Sequence, residues 1–442
     1  MRAVVLFAAA SSALTAFAAC ASSDELGPDE SPTQDGGVVA PALDAAPSDD
    51  ASDSVETDAA VSTCSKAGWC MTPLPDSDLM IKDVWPLPGR AFAIAESPTL
   101  GVKVLEWKDG GSGWSYIDDN TQNEVGGKYA GTIWAPNDDT VYYAVAPSFI
   151  YRGTRLSPPA TGWSWSRQRL DDNSHVGEAA HASHDHGYPR NPSLQEKYPA
   201  LGVWGTDGSN VYAWYSNTVY HWTSNDGGAP EWVAEYVADD LDVASDHLFF
   251  VSAAGSSADD VWFAAVRSDA IGEYLVEPNC AVLVRKTPAG FARVADGIVR
   301  SSGCAERAGF LRLDGAHGLL TDIQATGPGQ ITGLKGSKDI VRISAEGDTV
   351  AAAVDNVPTF NAVNANGLPL IRSLWRSSTD VWLTSFGLVI RGQGTGDAGT
   401  YAVSTIALNG RPISSPMYRV RGSSDTNIWA TGNGYAFHKT TP

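Results

Sequence analysis

The sequence predicts an all-β fold, a seven-bladed β-propeller with four-stranded blades whose last blade is completed by an N-terminal strand. Three observations support this prediction. The 442 residues include 44 Gly, 25 Pro and 15 Trp but only 4 Met, a composition typical of short strands joined by tight turns. A strand–turn–strand unit recurs seven times after Cys64. The strand that the last unit lacks is found ahead of the first unit.

The repeated unit is an apolar strand, a short polar turn and a second strand that usually opens with an apolar residue and an aromatic one. The seven copies start at Ile81, Gly131, Leu201, Phe250, Leu320, Arg372 and Tyr418. The residues that introduce the second strands are Arg90, Thr140, Asn210, Asp260, Gln330, Asp380 and Asn427. Their successive separations are 50, 70, 50, 70, 50 and 47 residues, so two insertions of similar size interrupt a nearly constant step. This regularity indicates structural repeats, of which the fifth matches least well.

A third and a fourth strand follow in each repeat, as in Lys103–Trp107 and Gly113–Tyr116. Four strands per repeat is the blade of a β-propeller. Only four residues follow His438, which leaves no room for a fourth strand in the last repeat. Residues 68–75 resemble the fourth strands of other repeats, and we expect them to close the ring and remove its open edge.

The first twenty residues have the pattern of an export signal: a short charged start, an apolar run, and Phe17-Ala18-Ala19-Cys20. These last four residues resemble the lipobox of bacterial lipoproteins, in which the cysteine becomes the lipidated N-terminus. The alternative is ordinary signal cleavage after Ala18. Removing Cys20 leaves an even set of four cysteines, which favours lipidation. We therefore predict an exported protein held in the cell envelope, at the outer membrane or cell surface, or otherwise secreted.

Residues 21–63 hold eleven acidic residues, no Lys or Arg and no aromatic residue. Such a segment cannot bury enough apolar surface to fold, so we predict a disordered tether between the signal (1–20) and a single propeller domain (64–442). The net charge of −21 argues against a nucleic-acid partner or an anionic membrane surface. We expect a monomer that reaches the membrane only through its lipid anchor.

The four remaining cysteines, Cys64, Cys70, Cys280 and Cys304, suit disulfides in an oxidising compartment. A Cys280–Cys304 bond would join two loops predicted on one face of the propeller. In the chain-entropy model it would stabilise the fold by about 3.5 kcal/mol, against about 2.4 kcal/mol for the short Cys64–Cys70 loop.

D-V-W-type repeats, behind a lipoprotein signal, a polar tether and a C-x5-C-x-x-P-L-P start at Cys64, resemble a largely uncharacterised group of bacterial lipoprotein and surface β-propellers. A weaker resemblance to sialidase-type Asp-box propellers comes from Ser256–Trp262 and Ser377–Trp382, although the Asp-box residue order is not reproduced. The resemblance implies a fold and no particular reaction or ligand. Because Trp recurs at matching blade positions, we interpret those rings as inter-blade packing rather than as a sugar platform.

Four of the eight His lie between His175 and His186. His181, His184 and His186, with Asp185, could form a zinc-like shell, so a divalent metal is a candidate ligand there although none is required. Solvated loop histidines are the alternative interpretation.

Loops after the second and fourth strands of a meander leave on the same face, so both insertions should share one rim. The His-rich insertion spans about Asp171–Pro199, and the other is split between Arg267–Asn279 and Asp296–Gly318. Long loops on a rigid scaffold commonly carry binding residues. We therefore expect Arg267, Glu273 and Arg307 to offer polar contacts to a ligand on this rim.

Two functions are compatible with these observations. The first is a binding or scaffold module for an envelope or cell-surface glycan or protein. The second is a propeller-type glycoside hydrolase or lyase, which needs carboxylates or a metal converging on one face. Candidate carboxylates are Glu96, Asp269, Glu273 and Glu306. The sequence contains no nucleophile elbow, P-loop or dinucleotide fingerprint, which favours binding over catalysis and leaves catalytic residues unassigned.

Overall fold

The computed structural model describes residues 64–124, 129–173, 190–191, 196–197, 200–224, 227–238, 246–268, 278–347, 349–358, 371–394, 399–404, 406, 413 and 415–441. The signal, the lipobox Cys20 and the tether lie outside these residues and stay predictions. Within the described part of the chain, no helix has the length and hydropathy to cross a membrane.

The chain forms seven four-stranded antiparallel sheets, and the predicted fold class is confirmed. The first strand in the chain is β1 (Trp69–Met71). Blade 1 contains β2 (Met80–Leu87), β3 (Arg90–Ser97), β4 (Gly101–Lys108) and β5 (Trp114–Tyr116). Blade 2 contains β6 (Ala130–Asn137), β7 (Thr140–Val145), β8 (Phe149–Arg155) and β9 (Trp163–Arg169). Blade 3 contains β12 (Leu201–Asp207), β13 (Asn210–Tyr215), β14 (Thr218–Thr223) and β15 (Glu231–Val237). Between blades 1 and 2 lies α1 (Thr121–Glu124), and between blades 2 and 3 a small hairpin of β10 (Arg190–Asn191) and β11 (Glu196–Lys197).

Blades 4 to 7 follow in the same order. Blade 4 contains β16 (His247–Ser257), β17 (Asp260–Ser268), β18 (Asn279–Thr287) and β19 (Gly290–Ala295), and blade 5 contains β22 (Leu320–Gly327), β23 (Gln330–Lys335), β24 (Asp339–Glu346) and β25 (Thr349–Asn356). Blade 6 contains β26 (Ser373–Arg376), β27 (Asp380–Ser385), β28 (Leu388–Gln393) and β29 (Thr400–Ser404). Blade 7 contains β30 (Met417–Ser424), β31 (Asn427–Gly432) and β32 (Ala436–Lys439). A second small hairpin, β20 (Gly297–Arg300) and β21 (Gly303–Glu306), separates blades 4 and 5.

The N-terminal strand closes the ring. β1 pairs antiparallel with β32, with Trp69 opposite Lys439 and Met71 opposite Phe437, and so becomes the fourth strand of blade 7. Trp69 is fully buried, and its indole donates to Ser404 Oγ of blade 6 at 2.9 Å. The predicted closure is therefore confirmed.

The D-V-W-type repeat packs against both neighbouring blades. Each residue that introduces a second strand is the first residue of that strand. In blade 4, this residue is Asp260, which accepts the Trp262 indole N–H at 3.1 Å and the Gly329 N–H of the next blade at 2.7 Å. The following residue, Val261, packs toward blade 3, whereas Trp262 packs toward blade 5. Because side chains alternate across a strand, one tripeptide fills both neighbouring interfaces.

The disulfide pairs are confirmed as Cys64–Cys70 and Cys280–Cys304. The second bond packs on Gly297, where a Cβ atom would lie 2.2 Å from Cys304 Sγ. It thereby joins β18 to the hairpin of β20 and β21, in the insertion that follows blade 4.

Candidate functional site

The propeller has two faces with different connections. The hairpin face carries the turns between first and second strands, such as Asp207–Asn210, and those between third and fourth strands. The insertion face carries the loops after the second and fourth strands, including the stapled hairpin of blade 4. The insertion face is where the long loops predict a ligand.

On the insertion face, Arg267 is fully buried and holds Asp296 with two hydrogen bonds of 3.0 and 2.8 Å. Arg293 also donates to Asp296 at 2.9 Å, and Arg307 lies 3.6 Å from it. Burial raises the pKa of Asp296, but the hydrogen bonds and charges of Arg267 and Arg293 more than offset this, and the pKa lies below its ordinary value. The cluster supports the stapled hairpin from within.

The remaining candidates are dispersed. His181, His184, His186, Asp269 and Glu273 lie outside the described residues, so the metal site and this part of the rim stay predictions. Glu96 accepts the Ala130 N–H at 2.8 Å and pairs with Lys82 at 3.4 Å, while Glu306 lies on β21. No three His, Cys, Asp or Glu side chains converge as metal ligands within the described ranges.

The hairpin face has a cavity of about 450 Å³ at the mouth of the central channel. The rings of Trp85, Trp134, Trp204 and Trp375 surround it. Trp134, Trp204 and Trp375 each lie over a glycine of the next inner strand, with a Cβ at Gly205, Gly255 or Gly422 falling within 3 Å of the ring. Their packing matches the inter-blade role predicted for these rings.

A charge network fills the channel beneath this mouth. Arg419 of blade 7 pairs with Asp322 across the ring and with Asp83 of blade 1 at 3.3 Å. Arg421 donates to Asp83 at 2.9 Å. The two carboxylates also accept backbone N–H groups of adjacent inner strands, Asp83 from Ile133 and Asp322 from Leu374, each at 3.0 Å. A cavity of about 20 Å³ lies beside these side chains, and the Arg–Asp contacts bridge the inner strands of blades 1, 5 and 7 as a plug.

A cleft of about 910 Å³ lies between blades 5 and 6 and opens at the hairpin face. Its position follows from one substitution in the repeat. The third residue of the second strand packs toward the next blade, and it is aromatic in six blades: Phe92, Tyr142, Tyr212, Trp262, Trp382 and Trp429. In blade 5 this residue is Thr332, a small side chain that is 1% exposed and lies at the floor of the cleft.

We call this cavity the blade 5–6 cleft. It runs outward from the channel mouth across all four strands of blade 5, along the register partners Gln324, Thr332, Arg342 and Ala353. The opposite wall consists of Trp375–Ser378 and Gly422–Asp425. The cleft crosses three inter-strand spacings of about 4.8 Å, so it is roughly 14 Å long.

The cleft is held open by hydrogen bonds. Gln324 replaces the inner tryptophan of other blades, and its amide donates to the Arg376 carbonyl at 2.6 Å and accepts the Arg376 N–H at 2.7 Å. Asp322 ties the same two inner strands through Leu374. At the other end of the interface, Leu334, Leu374 and Leu383 belong to one buried cluster. With both ends fixed, the two blades cannot close over the missing ring.

The cleft lining offers both donors and acceptors. Among the described residues, the Arg376 guanidinium makes no hydrogen bond or ion pair. Asp425 receives the Ser378 hydroxyl at 3.3 Å on one oxygen, while its other oxygen is buried with no partner among the described residues. Gln330, Ser344 and Ser377 add further polar groups. Such a surface can hydrogen-bond the amide groups of a ligand.

Sequence reasoning missed this cleft, although a signal was present. The fifth repeat, which matched least well, is the repeat that lacks both the inner tryptophan and the second-strand aromatic residue. A weak repeat in a regular array marks the interface where packing is incomplete.

No protein-family model matches the sequence, and neither does any curated protein. Solved β-propeller structures resemble the fold. YCF48 bound to D1 peptide has a TM-score of 0.50 at 13% identity, over 86% of this chain and 100% of that one. YCF48 from Cyanidioschyzon merolae has the same TM-score and identity, over 84% and 98%. The β-propeller domain of Cps50 (Swd1) from Myceliophteria thermophila has a TM-score of 0.50 at 8% identity, over 82% and 98%.

Proposed function

We propose that this protein is a binding module of the cell envelope that holds an extended protein segment in the blade 5–6 cleft. The observation that carries the proposal is a preformed polar cleft of about 910 Å³ where the other interfaces are filled by the protein's own rings. Its volume lies within the range typical of ligand sites, roughly 300–1,000 Å³.

The dimensions and chemistry of the cleft suit a peptide. A groove of roughly 14 Å accommodates about four residues of extended chain at ~3.3 Å per residue. Arg376 can donate to carbonyl or carboxylate oxygens, and the Ser344 and Ser377 hydroxyls can accept an N–H. Ala351 and Ala353 leave room for the backbone of the ligand to approach. A solved structural neighbour, YCF48, carries a bound peptide, which supports protein binding as a use of this fold.

A glycan is the second candidate, and the described surface favours it less. Sugars stack on exposed aromatic faces, whereas the aromatic residue that lines the described cleft, Trp375, is only 8% exposed. The hydrolase or lyase alternative also lacks support in the cleft. Glycoside hydrolysis commonly uses two carboxyl groups. Asp425 is the only carboxylate among the described lining residues, and both channel carboxylates are paired with Arg419.

The location in the envelope belongs to the same proposal. A lipid on Cys20 and the acidic residues 21–63 would hold the propeller at a distance from the membrane, free to meet a segment of another envelope protein.

Selection from a random peptide display library on the purified full chain tests the binding function. Ala353→Trp fills the outer part of the cleft, and Ala402→Trp is the matched control at the same position of blade 6. Both alanines are exposed, so either variant is expected to fold.

We expect selected peptides to bind Ala353→Trp at least ~10-fold more weakly than the natural chain, and Ala402→Trp within about twofold. A glycan array is probed in parallel with the same three proteins. Equal peptide affinity for all three would contradict the cleft as the site. Glycan binding that is lost in Ala353→Trp, with no peptide selected, would replace the protein ligand by a sugar.

A further inference from the structure

In five of the six blades that have an aromatic residue packing toward the next blade, its partner on the third strand is an arginine or a histidine. The register opposite Tyr142, Tyr212, Trp262, Trp382 and Trp429 places Arg152, His221, Arg285, Arg391 and His438. The charged or imidazole group lies over the ring in each pair, at 5.9, 4.6, 4.9, 5.3 and 4.2 Å between centres. Only blade 1 differs among the six, with Glu106 opposite Phe92. Stacking of a planar guanidinium or imidazole on a ring is therefore a repeated element of this fold.

Blade 5 keeps a planar group, a guanidinium, and lacks the ring. Arg342 lies opposite Thr332 at the same register position. Asp355 accepts hydrogen bonds from Arg342 Nε and Nη2 at 2.7 and 2.9 Å, which fixes the plane of the guanidinium. The Arg342 side chain remains 37% exposed and lines the cleft. The stacking surface is thus present and oriented, with no ring of this chain upon it in the described structure.

We infer that the ligand supplies the missing ring, inserting an aromatic side chain over Thr332, beside the Arg342 guanidinium and against Trp375. This inference rests on the proposed function and specifies its ligand as a protein segment with a Trp, Tyr or Phe anchor. A ring entering from outside repeats a contact that the other blades make internally. Because Gln324 and Asp322 hold the blades apart, the ligand does not have to separate them first.

The surroundings of this socket suit a ring better than an aliphatic group. Its walls are Arg342, Trp375 and the short side chains of Thr332 and Ser344. A guanidinium gains from the negative face of an aromatic ring, a contribution that leucine cannot make. Buried aromatic side chains are also the commonest anchors of protein interfaces.

The probes are N-acetyl-tryptophanamide and N-acetyl-tyrosinamide, with N-acetyl-leucinamide as the aliphatic control, titrated against the full chain by ligand-observed NMR. Thr332→Trp restores the ring found in other blades and fills the socket; Thr332→Phe does so with a smaller ring. Thr332→Ser is the matched control that keeps the socket empty. Thermal unfolding of each variant checks that the fold is retained.

We expect saturable binding of both aromatic amides and ~10-fold weaker binding of the leucine amide. Thr332→Trp and Thr332→Phe should each weaken binding of the aromatic amides by at least ~10-fold, whereas Thr332→Ser should stay within about twofold. Filling the socket should also raise the melting temperature. Equal binding by Thr332→Trp and the natural chain, or no preference for aromatic amides, would overturn the inference.

The inference and the proposed function can fail separately. Display selection could yield peptides without aromatic residues whose binding is lost in Ala353→Trp. In that case the cleft binds protein segments through another feature, and only the inference of an aromatic anchor is contradicted. If no peptide binds in the cleft, the function falls, whatever the amides do.

Discussion

At the scale of single residues, the third position of each second strand decides how two blades meet. Trp262 packs on the isoleucines of blade 5 and leaves no space, whereas Thr332 leaves a cleft in the next interface. Neighbouring inner strands are tied by polar side chains in the same register, such as Thr132 to Val203 and Ser373 to Val420. These ties hold the blades at a constant separation even where a ring is absent.

His438 provides a pH test of this packing. It stacks on Trp429 and lies 2.9 Å from Asn427 Oδ1. Burial lowers the pKa of His438 to about 4, from an ordinary value of 6.5. Between these pH values the unfolded chain binds a proton at His438 that the folded chain does not. The contribution of His438 to the free energy of unfolding is therefore complete above pH 6.5 and declines as the pH falls toward 4.

We expect His438→Gln to flatten this part of the stability profile. Urea unfolding of the natural chain and of His438→Gln is compared at pH values from neutral to about 4, the folded-state pKa. Carboxylates titrate in both proteins, so the difference between the two curves isolates the histidine. Parallel curves through this range would contradict a depressed pKa at His438.

At the scale of elements, three residues of β1 close a ring of seven sheets. Trp69 packs edge-on against Trp382 at 5.7 Å and fills the interface between blades 6 and 7. Backbone pairing with β32 covers the edge of Ala436–Lys439 that would otherwise be free. The Cys64–Cys70 bond joins Cys64, which precedes this strand, to Cys70, which lies within it.

Two truncations test the closing strand. Removing residues 1–63 should leave the melting temperature unchanged, because β1 and the disulfide remain. Removing residues 1–78 should lower it and promote aggregation, because Trp69 is lost and a sheet edge is exposed. Differential scanning fluorimetry and light scattering measure the two effects. The closure would lose its support if both truncations were equally stable and soluble.

At the scale of the whole molecule, the two faces of the propeller differ in structure. The insertion face is braced by the Cys280–Cys304 bond and the buried Arg267–Asp296 pair. The hairpin face carries the channel mouth and the blade 5–6 cleft. The first described strand, β1, belongs to blade 7, whose Gly422–Asp425 forms one wall of that cleft.

The predicted anchor is tested on the protein extracted from membranes. Intact-mass analysis should show a mature chain beginning at Cys20 with added acyl mass, and Cys20→Ser should appear in the soluble fraction. A mature N-terminus at Ala19 without acyl mass would show that the chain is secreted by ordinary signal cleavage.

The sequence by itself determined the number of blades, the start of every second strand, the closing strand and the two disulfides. These features depend on local signals: alternation of apolar residues along a strand, turn residues at fixed offsets, and an even set of cysteines. The cleft and the channel plug were decided only by the tertiary structure. Arg421 meets Asp83 across 338 residues, and Arg419 meets Asp322 across 97, so no local pattern connects them. The cleft is a space between two sheets, and its existence depends on what faces Thr332 from the next blade and on the hydrogen bonds of Gln324 that keep the two sheets apart.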